Sequence, residues 1–218
     1  MSTIPFQLAD HAIVLDAMRD LHTAILKVPC REDMLTCSRH LGLLHKKTFV
    51  FNNEAETAIL ADYRIYSYRP RGFNTAELFL RLNRDRLDVF SQALLARMSA
   101  AQYSLFVIDS VEKNSTLWVS DLLLGSRSLL VDNGLSMSGR PGQAFAAHIA
   151  AFDDYSRQTG GMLPVDANLL NDKAVVRSIA AMMDGGVSKT DPVARSKMAR
   201  AIISASIRLG FTQNIAYQ

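Results

Sequence analysis

Tyr103-Ser-Leu-Phe-Val-Ile-Asp-Ser-Val111, Thr116-Leu-Trp-Val-Ser-Asp-Leu-Leu123 and Ser128-Leu-Leu-Val-Asp132 decide the fold of this chain. Each is a short run of β-branched, aromatic and leucine residues. Turn signals separate them: Glu112-Lys113-Asn114, Gly125-Ser126 and then Gly139-Arg140-Pro141-Gly142. From Gln143 to Phe152 a further strand alternates, ahead of Gly160-Gly161 and Met162-Leu-Pro-Val165. Four or five short strands with no helix-length segment between them predict a small antiparallel β-barrel or strongly curved sheet.

Outward from this segment the apolar period becomes helical. Upstream, Phe6, Ile13, Val14, Met18, Leu21 and Ile25 recur at three- and four-residue steps, and Pro29 ends that helix. A second helix is expected from Glu32 to about His45. A third, capped by Asn52 or Asn53, carries Ile59, Leu60, Tyr63, Ile65 and Tyr66 until Arg69-Pro70-Arg71-Gly72 stops it. Asn74-Thr75-Ala76-Glu77 caps a helix over 75–82, and another spans 85–100. Downstream, helices are expected over 167–183 and, after Gly185-Gly186 and Asp191-Pro192, over 192–209. The fold class is therefore α+β: an N-terminal helical bundle (1–101), a small β-module (102–165) and a C-terminal helical pair (166–218) packed on the helical domain.

Composition fits a globular protein of 218 residues, 49% apolar and 21% charged. Cys30 and Cys37 are too few for a disulfide framework and point to a reducing, cytoplasmic setting. No signal peptide or membrane-spanning run is expected, because Asp10, Asp16, Arg19 and Asp20 interrupt the apolar windows near the start. The net charge of +3 is uneven: residues 62–104 carry +3, 105–166 carry −3 and 167–218 carry +4. That balance permits a polyanionic partner without requiring one.

Four stretches carry a family likeness: Ala61-Asp-Tyr-Arg-Ile-Tyr-Ser-Tyr-Arg-Pro70, Thr75-Ala-Glu-Leu-Phe-Leu80, Tyr103-Ser-Leu-Phe-Val-Ile108, and Val119-Ser-Asp-Leu-Leu-Leu-Gly125 with Leu135-Ser-Met-Ser-Gly-Arg-Pro-Gly-Gln143. Through them, residues 58–165 resemble a family of bacterial proteins with no assigned activity. Some of its members end in a Cys-rich zinc motif called SEC-C. These motifs serve turns and strand register, so the resemblance implies fold rather than chemistry. The last 50 residues contain no cysteine, and a SEC-C zinc site is not expected.

Motifs with chemical potential are few. Cys30, Cys37, His40 and His45 are possible zinc ligands, but their spacing lacks the close cysteine pair of a zinc knuckle. Gly134-Leu-Ser-Met-Ser-Gly139 lacks the nucleophile-elbow spacing, which leaves His148 without a persuasive role as base for Ser136; on an alternating strand it reads as a core or rim histidine. Ser110-Val-Glu-Lys113 reads as a turn. Gly185-Gly-Val-Ser-Lys-Thr190 reads as a helix-to-helix turn, not a phosphate loop. The arginines Arg64, Arg69, Arg71, Arg81 and Arg84, interleaved with Tyr66, Tyr68 and Phe73, form the candidate site for an anionic partner. Arg69 and Arg71 are expected on a loop with free guanidinium groups.

These readings predict a non-catalytic cytosolic binding or regulatory module, with no cofactor or metal, that meets a protein or polyanion. A nucleic-acid-associated protein is the first alternative. The second is an enzyme whose inter-domain site gathers Asp109, Asp121, Asp132 and His148.

Overall fold

The computed structural model describes residues 4–28, 30–112, 116–184 and 188–214. Pro29, Lys113 and Asn114 of the expected turn, and Gly185-Gly186 lie outside the described residues.

Helices α1 (His11–Leu26) and α2 (Arg31–Leu41) open the fold. Helix α2 stops four residues before the expected His45, because Gly42 takes a left-handed conformation (φ 80°) that closes the helix. Two-residue strands β1 (Leu44–His45) and β2 (Thr48–Phe49) follow, turning through Lys46 and Lys47, both at positive φ. Helix α3 (Glu54–Asp62) is capped by the Asn53 side chain and passes into a π-helical turn, Tyr63–Ser67, whose five residues are all buried. Helix α4 (Thr75–Asn83) has the capping box expected at Asn74 and Glu77. The helix expected over 85–100 is split: Arg84–Arg86 is a 3-10 turn, and Asp88 then caps α5 (Val89–Ser99).

Strands β3 (Gln102–Val111), β4 (Thr116–Asp121), β5 (Arg127–Val131), β6 (Ala144–Ala151) and β7 (Ser156–Val165) form one sheet. Every strand has two hydrogen-bonded neighbours in the order β3-β4-β5-β7-β6, and the sheet closes on itself. It is mixed rather than antiparallel throughout: the seam between β5 and β7 is a parallel pair, Leu130 with Ser156. A six-residue helix, α6 (Asn133–Ser138), interrupts the expected strand-only segment. Gly160-Gly161 lies inside β7 and is not a break between strands. Helices α7 (Ala167–Leu170), α8 (Lys173–Met183) and α9 (Pro192–Arg208) complete the chain. Among the described residues, no helix is long and apolar enough to cross a membrane.

Strand β6 shows how the layers meet. Phe145 and Ala147 join the cluster enclosed by the sheet, with Phe106, Ile108, Leu117 and Val119. Ala146 and Ala150, on the other face, join clusters built with the helices. One of these clusters unites Leu41, Ile59 and Tyr63 with Tyr103, Leu163, Val175 and Met198. Its members come from the N-terminal helices, the sheet and the C-terminal helices.

Candidate functional site

His148 shares the helix-facing side of β6 with Ala146 and Ala150, by the two-residue period of a strand. Between the paired positions Ala147–Met162 and Ile149–Gln158, β6 has one residue and β7 has three. The bulge sets His148 opposite Thr159, Gly160 and Gly161. The glycines let α3 approach closely: a Cβ at Gly161 would stand 3.2 Å from the Ile59 Cα, and one at Gly160 would stand 3.4 Å from Asp62 Oδ1.

Asp62 consequently sits over the bulge. Its Oδ2 lies 2.5 Å from His148 Nδ1, and its Oδ1 accepts the Thr159 hydroxyl at 2.6 Å. On the other side of the ring, His148 Nε2 lies 2.7 Å from Ser67 Oγ. A carboxylate accepts only, so Nδ1 carries the proton and donates to Asp62, and Nε2 is left to accept the Ser67 hydroxyl hydrogen. All four side chains are buried.

The π turn delivers Ser67. On a regular α-helix, residues five apart project about 140° from each other. Here the wider turn, closed by Tyr68 N–H donating to Tyr63 O at 2.9 Å, brings Asp62 and Ser67 to the same imidazole. Thr75 Oγ donates to Arg64 O, and Asn74 Nδ2 donates to both Tyr66 O and Ser99 O. These bonds fix the turn against α4 and α5. The rings of Tyr66 and Tyr103 lie 5.5 and 4.8 Å from that of His148. Burial holds both phenols well above the usual tyrosine range, with the Asp62 charge adding to the effect. They wall the imidazole as neutral groups.

Ser67 and His148 line a cavity of about 200 Å³. Its walls come from the Tyr66–Arg69 segment, the junction of α5 with β3 (Ser99–Tyr103) and the start of α9 (Thr190, Pro192, Arg195, Ser196). The Arg69–Glu77 ion pair also lines it. A nucleophile, a base and a carboxylate that orients the base therefore adjoin a space for a small molecule.

The residues singled out from sequence are distributed differently. Arg64 is buried at 2% exposure, within the π turn. Arg69 is not free: its guanidinium holds both oxygens of Glu77 at 2.8 and 2.7 Å. Arg71 and Arg84 are exposed, and Arg81 is exposed with its guanidinium 3.8 Å above the Phe73 ring. The five arginines thus do not form one open face.

Nor do Asp109, Asp121, Asp132 and His148 gather. Asp109 receives Ser120 and Arg127, and Asp121 receives Ser104 and the amides of Leu123 and Leu124. Asp132 caps α6 and receives Gln158. Ser136, the partner considered for His148, instead donates to Asn133 O. Cys37 is buried, which pushes its thiol well above the usual range, while His40 pairs with the Tyr63 hydroxyl. Lys189 of the glycine-rich segment donates to Leu123 O, and Asp191 caps α9 with Pro192 at its first position.

Asp62 and Ser67 escape a reading by period because both fall within a helical pattern whose apolar stripe is Ile59, Tyr63 and Tyr66. The Gly160-Gly161 pair was the available signal. Glycines side by side in a strand mark a bulge or a close approach of another backbone.

Residues 14–195 match the model of a family of unknown function, DUF7986, and the chain belongs to that family. No curated protein and no solved structure matches it.

Proposed function

We propose that this member of the DUF7986 family catalyses acyl transfer, hydrolysing a small ester or related acyl compound with Ser67 as nucleophile. The observation that carries the reading is the continuous chain Ser67 Oγ, His148 Nε2, His148 Nδ1, Asp62 Oδ2, with links of 2.7 and 2.5 Å, beside a cavity. The reading departs from the non-catalytic module expected from sequence, because that expectation rested on finding no convergent nucleophile, base and acid.

In the reaction, Ser67 Oγ bonds to the acyl carbon while its proton passes to His148 Nε2. The tetrahedral adduct collapses as the imidazolium returns that proton to the departing alkoxide. Water then attacks the acyl-serine, giving its proton to His148. The carboxylic acid leaves, and Ser67 Oγ recovers a proton from the same nitrogen. Asp62 stabilises the imidazolium without taking its proton, and Thr159 holds Asp62 in place.

Hydrolysis of p-nitrophenyl butyrate tests this. Ser67→Ala removes one hydroxyl from a buried site and is expected to lower kcat/KM by roughly a thousandfold or more. Asp62→Asn should lower it as well, by disturbing the tautomer. A Ser67→Ala protein that turns over the ester at the wild-type rate rules the reading out.

A further inference from the structure

Arg195 is 3% exposed and lines the same cavity as Ser67 and His148. Two of its nitrogens are used: Nε donates to Lys189 O at 2.7 Å and Nη1 to Tyr103 O at 2.7 Å. Nη2 is buried and has no partner among the described residues. No carboxylate stands within ion-pair distance of this guanidinium among those residues. Asp121, whose charge reaches it, is occupied by Ser104 and two backbone amides. Glu77, the acidic wall of the cavity, is engaged by Arg69. Arg195 also lies in the first turn of α9, the positive end of the helix dipole, where a cation is disfavoured despite the Asp191 cap. A buried cation with a spare donor in a cavity calls for an anion.

We infer that Arg195 binds a carboxylate on the acyl part of the substrate, so that the preferred substrates are esters of short dicarboxylic acids. The inference rests on the Ser67 reading for its catalytic meaning, while the anion site itself stands on Arg195. Both carbonyl oxygens that accept from Arg195 hold the guanidinium still. The Tyr103 carbonyl belongs to the β3 residue paired with His148, which ties the anion site to the relay through one rung of the sheet. A cavity of about 200 Å³ suits a four-carbon diacid better than a drug-sized ligand, whose pockets begin near 300 Å³.

Two measurements test the inference. Calorimetry on the Ser67→Ala protein compares succinate with succinamide, which has the same shape and no charge. Succinate is expected to bind and succinamide not to. Equal affinity for the two, or binding of neither, overturns the anion site, and this comparison does not depend on whether an Arg195 variant folds.

Turnover of the p-nitrophenyl monoester of succinic acid is then compared with that of the butyrate ester. Arg195→Gln should raise KM for the succinyl ester roughly tenfold or more beyond any change it causes on the butyrate ester, the worth of a charged hydrogen bond. A lowered kcat with unchanged KM on both esters would assign Arg195 to the developing oxyanion and overturn the carboxylate reading. Butyrate turnover without succinate binding refutes the anion site and keeps Ser67 as nucleophile. Succinate binding with neither ester turned over keeps the anion site and refutes Ser67.

Discussion

Arg69 and Arg71 stand two residues apart and have opposite fates. Arg69 keeps a side chain only 11% exposed, in a two-point contact with Glu77, and its Nε donates to Gly72 O at 3.2 Å. Glu77 also receives the Asn74 amide that opens α4. One guanidinium therefore joins the Arg69–Gly72 turn to the α4 cap. Exposed ion pairs contribute little, but this one is largely withdrawn from solvent, with one guanidinium nitrogen on both carboxylate oxygens. Arg69→Ala is expected to cost about 1–2 kcal/mol, whereas Arg71→Ala, at an exposed position, should stay within about 0.5 kcal/mol. Urea denaturation of the two single variants checks this, and equal midpoints would mean that the Arg69–Glu77 pair does not hold the turn. The local sequence could not separate the two residues, since Pro70 biases both towards a loop and only the tertiary position of Glu77 selects Arg69.

At the scale of elements, the site depends on α3 lying almost directly on β7. Gly161 permits this, for its missing Cβ would meet backbone at Ile59, which cannot swing aside as a side-chain tip can. Gly161→Ala should destabilise the protein by about 1–3 kcal/mol through overpacking. It should also depress ester hydrolysis in the surviving folded protein, because α3 carries Asp62. Thermal unfolding and kcat/KM measured together check this; a variant unchanged in both would show that α3 tolerates a larger separation. Much of the element order was readable from sequence, because apolar period and caps are local: Asn74 and Glu77 cap α4, and Asp191 with Pro192 starts α9. What escaped is governed by contacts distant in sequence or by one residue of backbone geometry. The left-handed Gly42 cut α2 short, the parallel Leu130–Ser156 seam closed the sheet, and the π turn at Tyr63–Ser67 rotated Ser67 towards His148. The periodic pattern of Tyr63 and Tyr66 is compatible with either an α or a π turn, so period alone does not fix the direction in which Ser67 projects.

In the whole molecule, the cavity is where separate layers meet. The π turn after α3 brings Ser67, the sheet brings His148 and Thr159, and the first turn of α9 brings Arg195 from the far end of the chain. The clusters beneath them mix residues from the same parts, such as Tyr63, Tyr103 and Met198. Packing that holds the helices on the sheet therefore also sets the distances of the relay, and no stretch of sequence contains the site. The most direct test of the relay is covalent. The wild-type protein is incubated with a small fluorophosphonate, which phosphonylates a serine activated by a neighbouring histidine, and the modified residue is located by tandem mass spectrometry. A single adduct on Ser67, absent from Ser67→Ala and much slower to form in Asp62→Asn, is the predicted result. No adduct, or one on another serine with Ser67 untouched, would contradict it.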